Sequence, residues 1–180
     1  MITENLFEIV THKIHISDWQ QHKNRILSLV PFNSEEYTKD PSLSYGDFYH
    51  QNRGSNLPYS SELLDVIKPH LTDLEKLYTI HDYGKPWCQG YLQSDWHSPH
   101  NHGSEGLSCI FYAHYDSKVH RPTEFIAPFP NIRGDIPLNS LEVEEGDLIV
   151  FPSFLLHVAP PSGSDKSRII FAFNMKADNL

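Results

Sequence analysis

The apolar positions at the start of the chain predict one or two short strands followed by a helix. Residues 5–16 alternate loosely between apolar and polar types, which predicts one or two short strands. Ser17 or Asp18 can then cap a helix that runs to about Val30 and ends before Pro31. The residues expected on its buried face are Trp19, Ile26 and Val30.

A second helical repeat occupies residues 61–79, where apolar side chains recur every three or four positions. Pro69 lies inside it, so we expect a kink or a restart there. The apolar members are Leu63, Ile67, Leu71, Leu74 and Tyr78. Residues 31–60 show no period and predict a loop around the core, with at most one short helix.

Short apolar runs separated by turn residues follow Gly84. They predict strands at residues 86–93, 107–115, 123–129, 141–143, 148–151, 155–159 and 168–175. Helices followed by many short strands indicate a mainly β fold of the α+β kind, an antiparallel barrel or sandwich with helices packed outside. We expect one domain over residues 1–180, with a helical and loop layer at about 1–84 and a strand core at about 85–176.

Composition narrows the class of protein. No run of 18 apolar residues and no secretory leader is visible, so we expect no membrane span and a cytoplasmic protein. Cys88 and Cys109, the only cysteines, are interpreted as buried thiols and not as a disulfide or a zinc pair. The net charge of -9, without a Lys/Arg cluster, argues against nucleic acid as a partner.

Twelve histidines are the unusual feature of the composition, because histidine is the commonest metal ligand. His100 and His102 are two positions apart, so on a strand both imidazoles point to one face and can reach one ion. Such a pair arises about once by chance in a chain this rich in histidine. His157 lies in the apolar run 154–158 and is either a third ligand or a neutral imidazole bonded to a carbonyl.

Arg168 opens an apolar strand and shares its face with Asn174. Burying a guanidinium is costly unless a carboxylate meets its planar fork, and a bound carboxylate ligand would satisfy it. The alternative is an arginine at the exposed mouth of the strand, paired with Asp165 or Glu144.

Three segments in this order resemble the 2-oxoglutarate/Fe(II)-dependent oxygenase superfamily: HNHGSEGLS at 100–108, FPSFLLH at 151–157 and RIIFAFN at 168–174. More narrowly, they resemble a small group of such oxygenases, many of them encoded by marine cyanophages. The resemblance covers residues 87–176 and depends on the combination of motifs. It implies a double-stranded β-helix, the jelly-roll or cupin-like fold, with Fe(II), 2-oxoglutarate and O2 as cofactor and co-substrates.

The resemblance also implies roles for individual residues. His100, His102 and His157 would be the iron ligands, and Arg168 would anchor the distal carboxylate of 2-oxoglutarate. Tyr91 lies nine residues before His100, where related hydroxylases often have a tyrosine that touches 2-oxoglutarate, although a core aromatic is an equal alternative.

Two further residues are candidates for the pocket wall. Asn174 shares the strand face of Arg168 and is a secondary cofactor-binding candidate. Tyr112 could also line the pocket, but core packing is the better interpretation of its position.

His102 departs from the superfamily's pattern, which has a carboxylate at this position. Three neutral imidazoles leave the site one charge more positive, which is still compatible with Fe(II) and a dicarboxylate. Glu105 or Asp95 could alternatively supply the missing carboxylate.

The functional hypothesis is a non-haem Fe(II)- and 2-oxoglutarate-dependent dioxygenase that hydroxylates a substrate, such as a peptidyl proline, and releases succinate and CO2. One alternative is a three-histidine cupin dioxygenase that does not use 2-oxoglutarate. The other is a non-catalytic jelly-roll module that binds a ligand or serves in an assembly. The substrate, a small molecule or a peptide, is not identified, a homodimer is left open, and a viral source would place the protein in the host cytoplasm.

Overall fold

The structure, a computed structural model, describes residues 8–32, 38–39, 45–48, 57–161 and 163–179. Helix α1 spans Trp19–Ser28 and α2 spans Tyr59–Ile67, followed by 3-10 turns at Lys68–His70 and Leu74–Lys76. The strands are β1 His12–His15, β2 Thr38–Lys39, β3 Tyr45–Gly46, β4 Tyr78–Tyr83, β5 Trp87–Tyr91, β6 His97–His100, β7 Leu107–His114, β8 Glu124–Ile126, β9 Leu138–Ser140, β10 Asp147–Pro152, β11 His157–Ala159 and β12 Arg168–Asn179.

The first helix agrees with its sequence prediction, while the second repeat is helical only in its first half. Helix α1 follows Asp18 and buries Trp19 and Ile26, and Val30 is buried two residues beyond its end. Helix α2 ends at Ile67, because the ring of Pro69 cannot continue the backbone hydrogen bonding of a helix. Residues 78–83 form β4 instead, which pairs with the last residues of β12, so the prediction of helix up to residue 79 was wrong.

Most of the predicted strands are present. Strands β5, β7, β8, β10 and β11 overlap their predicted ranges, and β12 continues beyond its range to Asn179. The strand predicted at 141–143 was wrong, since β9 lies at 138–140. Strands β4 and β6 were not predicted, because their many polar and histidine side chains leave no run of buried apolar residues.

The strands form two antiparallel sheets. The larger has the order β1-β10-β7-β12-β5-β3-β2, with β4 also paired to β12, and the smaller has the order β6-β11-β8-β9. Side chains from the two sheets meet in one cluster that includes Ile170 and Phe151 of the large sheet and Phe125 of the small one. The two facing sheets make the double-stranded β-helix that was expected.

A second core lies between the helices and the other face of the large sheet. The indole of Trp19 donates to the carbonyl of Ala113 at 2.9 Å and packs edge-on against Phe111 at 4.7 Å. Alternation along β12 sends Phe171 and Phe173 into this core, and Ile170 to the side between the sheets. Arg168 and Asn174 therefore share the face that looks towards the small sheet.

A buried carboxylate links α2 to the large sheet. Asp47 accepts a hydrogen bond from the Tyr59 hydroxyl at 2.6 Å and another from the backbone N–H of Cys88 at 2.8 Å. Burial and this carboxylate raise the pKa of Tyr59. The tyrosine therefore stays protonated and remains a donor to Asp47.

Two expectations from composition can be compared with the described part of the chain. Cys88 and Cys109 are both buried and neither forms a disulfide, which confirms their interpretation as thiols, and burial raises the pKa of Cys109. No helix in the described ranges is both long enough and apolar enough to cross a membrane.

Candidate metal centre

Three histidines from two strands and one connection meet at one end of the gap between the sheets. His100 ends β6 and is paired in register with His157, which begins β11. His102 lies in the segment before β7, not on a strand as predicted, and its backbone N–H donates to the Ser153 carbonyl at 2.9 Å. One ligand atom from each of the three rings lies within 4.8 Å of the others.

Each of these histidines has an oxygen acceptor beside its Nδ1. The contacts are His100 to the Ser98 carbonyl at 2.7 Å, His102 to Oδ1 of Asn174 at 2.7 Å, and His157 to the Leu155 carbonyl at 3.0 Å. Because these oxygens only accept, each Nδ1 carries the proton and each Nε2 keeps its lone pair. This is the tautomer in which a histidine binds a metal through Nε2.

Burial keeps the three rings neutral. Desolvation lowers the pKa of His100 and His102. The pKa of His157 falls to about 3, mainly through desolvation and then through the neighbouring His100. Neutral imidazoles are the form that binds a metal ion, so the folded chain presents the group ready for a cation at neutral pH.

Asn174 is held in place by two serines. Its Oδ1 accepts from the Ser108 hydroxyl at 3.0 Å as well as from His102, and the Ser108 hydroxyl lies 2.9 Å from that of Ser153. Ser108 and Ser153 are both fully buried. Asn174, which was predicted to bind the cofactor, therefore contacts a histidine of the group directly.

The histidines border a cavity of about 420 Å³ between the sheets. Its described lining contains no Asp, Glu, Lys or Arg side chain. Trp87 and Phe48 form an aromatic wall at 5.0 Å from each other, and Tyr91 and Ile170 line the cavity as well. Along β5, Trp87 and Tyr91 are four residues apart, which separates them by roughly 13 Å.

Arg168 is buried at 2% exposure, beside Tyr91 in the register of β5 and β12. Its guanidinium carbon lies 4.3 Å from the centre of the Tyr91 ring, and this ring, not the guanidinium, borders the cavity. The terminal nitrogens donate to the carbonyls of Arg121 and Pro160, while Nε has no hydrogen-bond partner among the residues that the structure describes.

Within the described part of the chain, no carboxylate compensates the charge of Arg168. The described residues place no Asp or Glu oxygen within ion-pair distance of it, and Asp165 and Glu144 are exposed. The alternative of an arginine at the exposed mouth, paired with either residue, was therefore wrong. A buried cation without an anion suits a site that receives an anionic ligand.

The remaining candidates lie elsewhere. Tyr112 is in the core between the sheets, where its hydroxyl accepts from the N–H of Thr123 at 3.0 Å, in line with the core interpretation. Asp95 accepts from the N–H of Leu92 at 2.9 Å, and Glu105 is exposed. Neither carboxylate belongs to the group that His102 forms with the other two histidines.

Two cavity residues were missed by the sequence analysis. His97 stacks on His100 with ring centres 3.9 Å apart and planes 16° from parallel. Gln89 bonds to both His97 and the hydroxyl of Tyr91. The signal for His97 was the local density of histidines before residue 103, whereas Gln89 has no signal apart from its position on β5.

A second group of potential metal ligands lies at the exposed edge of the large sheet. His15 is 2.8 Å from Asp147, whose other oxygen accepts from the N–H of Glu144 at 2.9 Å. These bonds close the turn before β10, where Gly146 has a positive φ of 93°. The group therefore has a structural role in holding β1 against that turn.

Residues 85–174, half of the chain, match the protein family described as "Putative 2OG-Fe(II) oxygenase". The chain belongs to this family. Members use Fe(II), 2-oxoglutarate and O2, so the protein is an oxidoreductase of the 2-oxoglutarate-dependent dioxygenase type. The donor set fits the metal, because three neutral imidazole nitrogens suit Fe(II). The narrower likeness to cyanophage proteins stays a prediction.

Solved structures with this fold include three enzymes. A prolyl-4-hydroxylase of Pseudomonas putida is 13% identical, with a TM-score of 0.57 over 92% of this chain and 91% of that one. The 2-oxoglutarate-dependent carbocyclase SnoK of nogalamycin biosynthesis is 12% identical, with a TM-score of 0.61 over 96% and 82%. The viral collagen prolyl hydroxylase of Paramecium bursaria Chlorella virus-1 is 12% identical, with a TM-score of 0.56 over 94% and 96%. At this identity the likeness shows the fold, and no curated protein matches the sequence.

Proposed function

We propose that this oxygenase hydroxylates an organic substrate, with His100, His102 and His157 as the ligands of Fe(II) and Arg168 as the anchor of 2-oxoglutarate. The observation that carries the proposal is the common tautomer of the three rings. All three have an acceptor at Nδ1, which leaves three Nε2 lone pairs for one ion. A packed core has no need to give three neighbouring imidazoles the same protonation.

The histidines would hold the metal on one side and leave its other positions to the cavity. None of the three carries charge, so the metal would keep its full double charge, where the family's usual carboxylate would cancel half of it. That charge favours an anionic chelating ligand. The 2-oxoglutarate keto acid would therefore be attracted strongly even without a protein carboxylate at the site.

Arg168 would bind the far carboxylate of 2-oxoglutarate. It is a buried cation for which the described residues supply neither an anion nor a hydrogen-bond partner at Nε. Since the ring of Tyr91 covers the guanidinium, we expect the incoming carboxylate to displace this ring. Tyr91 would then bond to the co-substrate through its hydroxyl.

Bound Fe(II) and 2-oxoglutarate supply the oxidising chemistry, in which O2 gives one oxygen atom to the substrate and the other to the succinate that forms with CO2. The chain's own contribution is geometric: the histidines and Arg168 fix the two ends of the co-substrate. The apolar walls of the cavity exclude water from the reacting atoms.

The substrate end of the cavity would be the wall formed by Trp87 and Phe48, on the far side from Arg168. This wall suits an uncharged group, since no charged side chain lines the cavity in the described ranges. Prolyl hydroxylases are among the enzymes with this fold, so a peptidyl side chain such as proline is the first class to test. A proline-containing peptide library, analysed for the gain of one oxygen atom, tests it.

The decisive experiment for the centre is an anaerobic titration of metal-free protein with Fe(II) and 2-oxoglutarate. We expect the visible charge-transfer band of a chelated keto acid, weakened in Arg168→Ala and lost in His102→Ala. His22→Ala, which removes a partly exposed histidine of α1 far from the group of three, is the matched control and should leave the band intact. Succinate formation in air would complete the assignment.

Two results would contradict the proposal in different ways. Tight Fe(II) binding without the band would indicate a three-histidine dioxygenase that does not use 2-oxoglutarate. A protein that binds no Fe(II) would show that the histidines have only a packing role.

A further inference from the structure

Each histidine of the metal centre packs against aromatic rings from outside the group. His102 lies 5.5 Å from Trp87, and His157 lies 4.9 Å from Phe151 and 6.2 Å from Phe125. For His100 the neighbour is His97, and this contact is the closest and most parallel of the four, at 3.9 Å and 16°. Among these neighbours in the described ranges, His97 is the only imidazole.

His100 has the weakest support of its own. Within the described residues, its ring makes one hydrogen bond, to the carbonyl of Ser98 two residues earlier on the same short strand. By contrast, Asn174 and its serine network hold His102, and His157 is buried at 3% exposure. The plane of the His100 ring therefore depends more on the ring stacked against it.

Gln89 makes a hydrogen bond to that stacked ring. Its carboxamide oxygen accepts from the Tyr91 hydroxyl at 2.9 Å, which turns its nitrogen towards Nδ1 of His97 at 3.3 Å. An amide N–H can donate only to an unprotonated ring nitrogen, so this contact puts the His97 proton on Nε2. The bond also restrains rotation of the His97 ring about its Cβ–Cγ bond.

These contacts form a continuous path across the cavity. The guanidinium of Arg168 lies on the Tyr91 ring at 4.3 Å, the Tyr91 hydroxyl bonds to Gln89, Gln89 bonds to His97, and His97 stacks on His100. The two ends are the residues proposed to hold the co-substrate and the metal.

We infer that Gln89 and His97 are positioning residues, which fix the plane of the His100 ring so that its Nε2 faces the shared metal position. The inference rests on the proposed function, because it takes the three histidines as metal ligands. His97 acts through its ring face, and Gln89 acts through His97. Residues that orient a ligand histidine typically affect metal affinity by 10- to 100-fold.

The test is a set of Co(II) titrations of the metal-free protein, with tryptophan fluorescence as the signal. Trp87 lies 5.5 Å from His102, so a paramagnetic ion in the centre should quench it. Urea unfolding of each metal-free variant reports stability separately. A merely structural residue would lower the unfolding free energy and leave the metal affinity of the folded protein unchanged.

His97→Ala and His97→Phe separate the ring face from the ring nitrogen. We expect His97→Ala to weaken Co(II) binding by about 10-fold or more. His97→Phe keeps a flat ring against His100 and should retain most of the affinity, although it leaves the Gln89 amide without its acceptor and so lowers stability. Wild-type affinity in His97→Ala, or an equal loss in both variants, would overturn the role of the stacked ring.

Gln89→Leu tests the second half of the inference. It should weaken Co(II) binding less than His97→Ala does, because the stacked ring stays but is no longer held. If Gln89 acts through His97, the double variant should bind Co(II) as weakly as His97→Ala alone. Losses that multiply in the double variant, or wild-type affinity in Gln89→Leu, would remove Gln89 from the inference.

The wild-type protein distinguishes this inference from the proposed function. If wild type binds no Co(II) and shows no keto acid band with Fe(II), the metal centre itself is wrong and the inference is wrong with it. If wild type shows both signals and His97→Ala does too at full affinity, only the positioning role is wrong. His22→Ala again controls for the removal of a histidine.

Discussion

The contact between Asn174 and His102 leads to a prediction with a magnitude that follows from the structure. In Asn174→Leu the side chain keeps a similar size but loses the amide oxygen, which accepts from His102 and from Ser108. Ser108 still has Ser153 at 2.9 Å, so its hydroxyl can turn to that partner. The full effect therefore falls on His102.

In the metal-free variant the His102 proton can move to Nε2, and the nitrogen proposed to bind the metal then has no lone pair. Metal binding forces the proton back to Nδ1, where a largely buried donor has lost its acceptor, and this costs about 1–3 kcal/mol. Converted to binding, about 1–3 kcal/mol corresponds to roughly 5- to 150-fold weaker affinity for the ion.

The assay is a Co(II) titration of metal-free protein, combined with thermal unfolding with and without Co(II). We expect Asn174→Leu to lose affinity in this range and to be stabilised less by the metal, while Asn174→Asp, which keeps an acceptor in place, retains binding. Asn139→Leu, at an exposed position of β9, is the matched control. Unchanged Co(II) affinity in Asn174→Leu would refute the reasoning.

Three other predictions concern charge, pH and the core. Arg168→Met should weaken 2-oxoglutarate binding by about 30-fold or more, and Arg168→Lys by less, because lysine keeps the charge without the fork; equal losses in an anaerobic titration of the keto acid band would contradict this. Below pH 6.5 an unfolded His157 takes up a proton that the folded one, with its pKa of about 3, does not. As the pH is lowered below 6.5, the unfolding free energy of the metal-free protein should therefore decrease by up to about 1.4 kcal/mol per pH unit through this group. Urea unfolding of His157→Phe should show a smaller decrease between pH 7 and pH 5 than wild type does. Tyr59→Phe should lower the unfolding free energy by about 1–3 kcal/mol, because buried Asp47 loses a donor, whereas Tyr83→Phe, whose hydroxyl bonds at an exposed site, should have little effect in the same measurement.

Local sequence patterns were sufficient to predict an element wherever at least one of its faces is apolar. Strands β7, β10 and β12 were predicted because a strand buried on both faces is a run of apolar residues, and α1 because its buried residues recur at helical spacing. The same reliance on apolar spacing explains why a helix was predicted where β4 begins. Apolar residues up to Tyr78 continued the helical period after Pro69, although β4 pairs with the end of β12 in that part of the chain.

In the candidate metal centre, too, some features were predictable from the sequence and others required the tertiary structure. The order of His100, His102, His157 and Arg168 was sufficient to nominate them, because those residue types in that order are typical of one kind of site. Their tautomers were not predictable, since the acceptors come partly from distant residues: Asn174 is 72 positions from His102. The rejection of Glu105 and Asp95 as partners of the three rings also needed their positions in space.

By itself, therefore, the sequence determined most of the succession of helices and strands, the three candidate histidine ligands and the choice of Arg168 as the candidate anchor. These properties depend on short-range periodicity and on residue chemistry, which are written along the chain. The tertiary structure alone decided that His97 stacks on His100, that Gln89 links His97 to Tyr91, and that Arg168 is buried behind the Tyr91 ring with no anion beside it in the described ranges. Contacts of this kind form when the two sheets face each other, and no local pattern records which side chains will then meet.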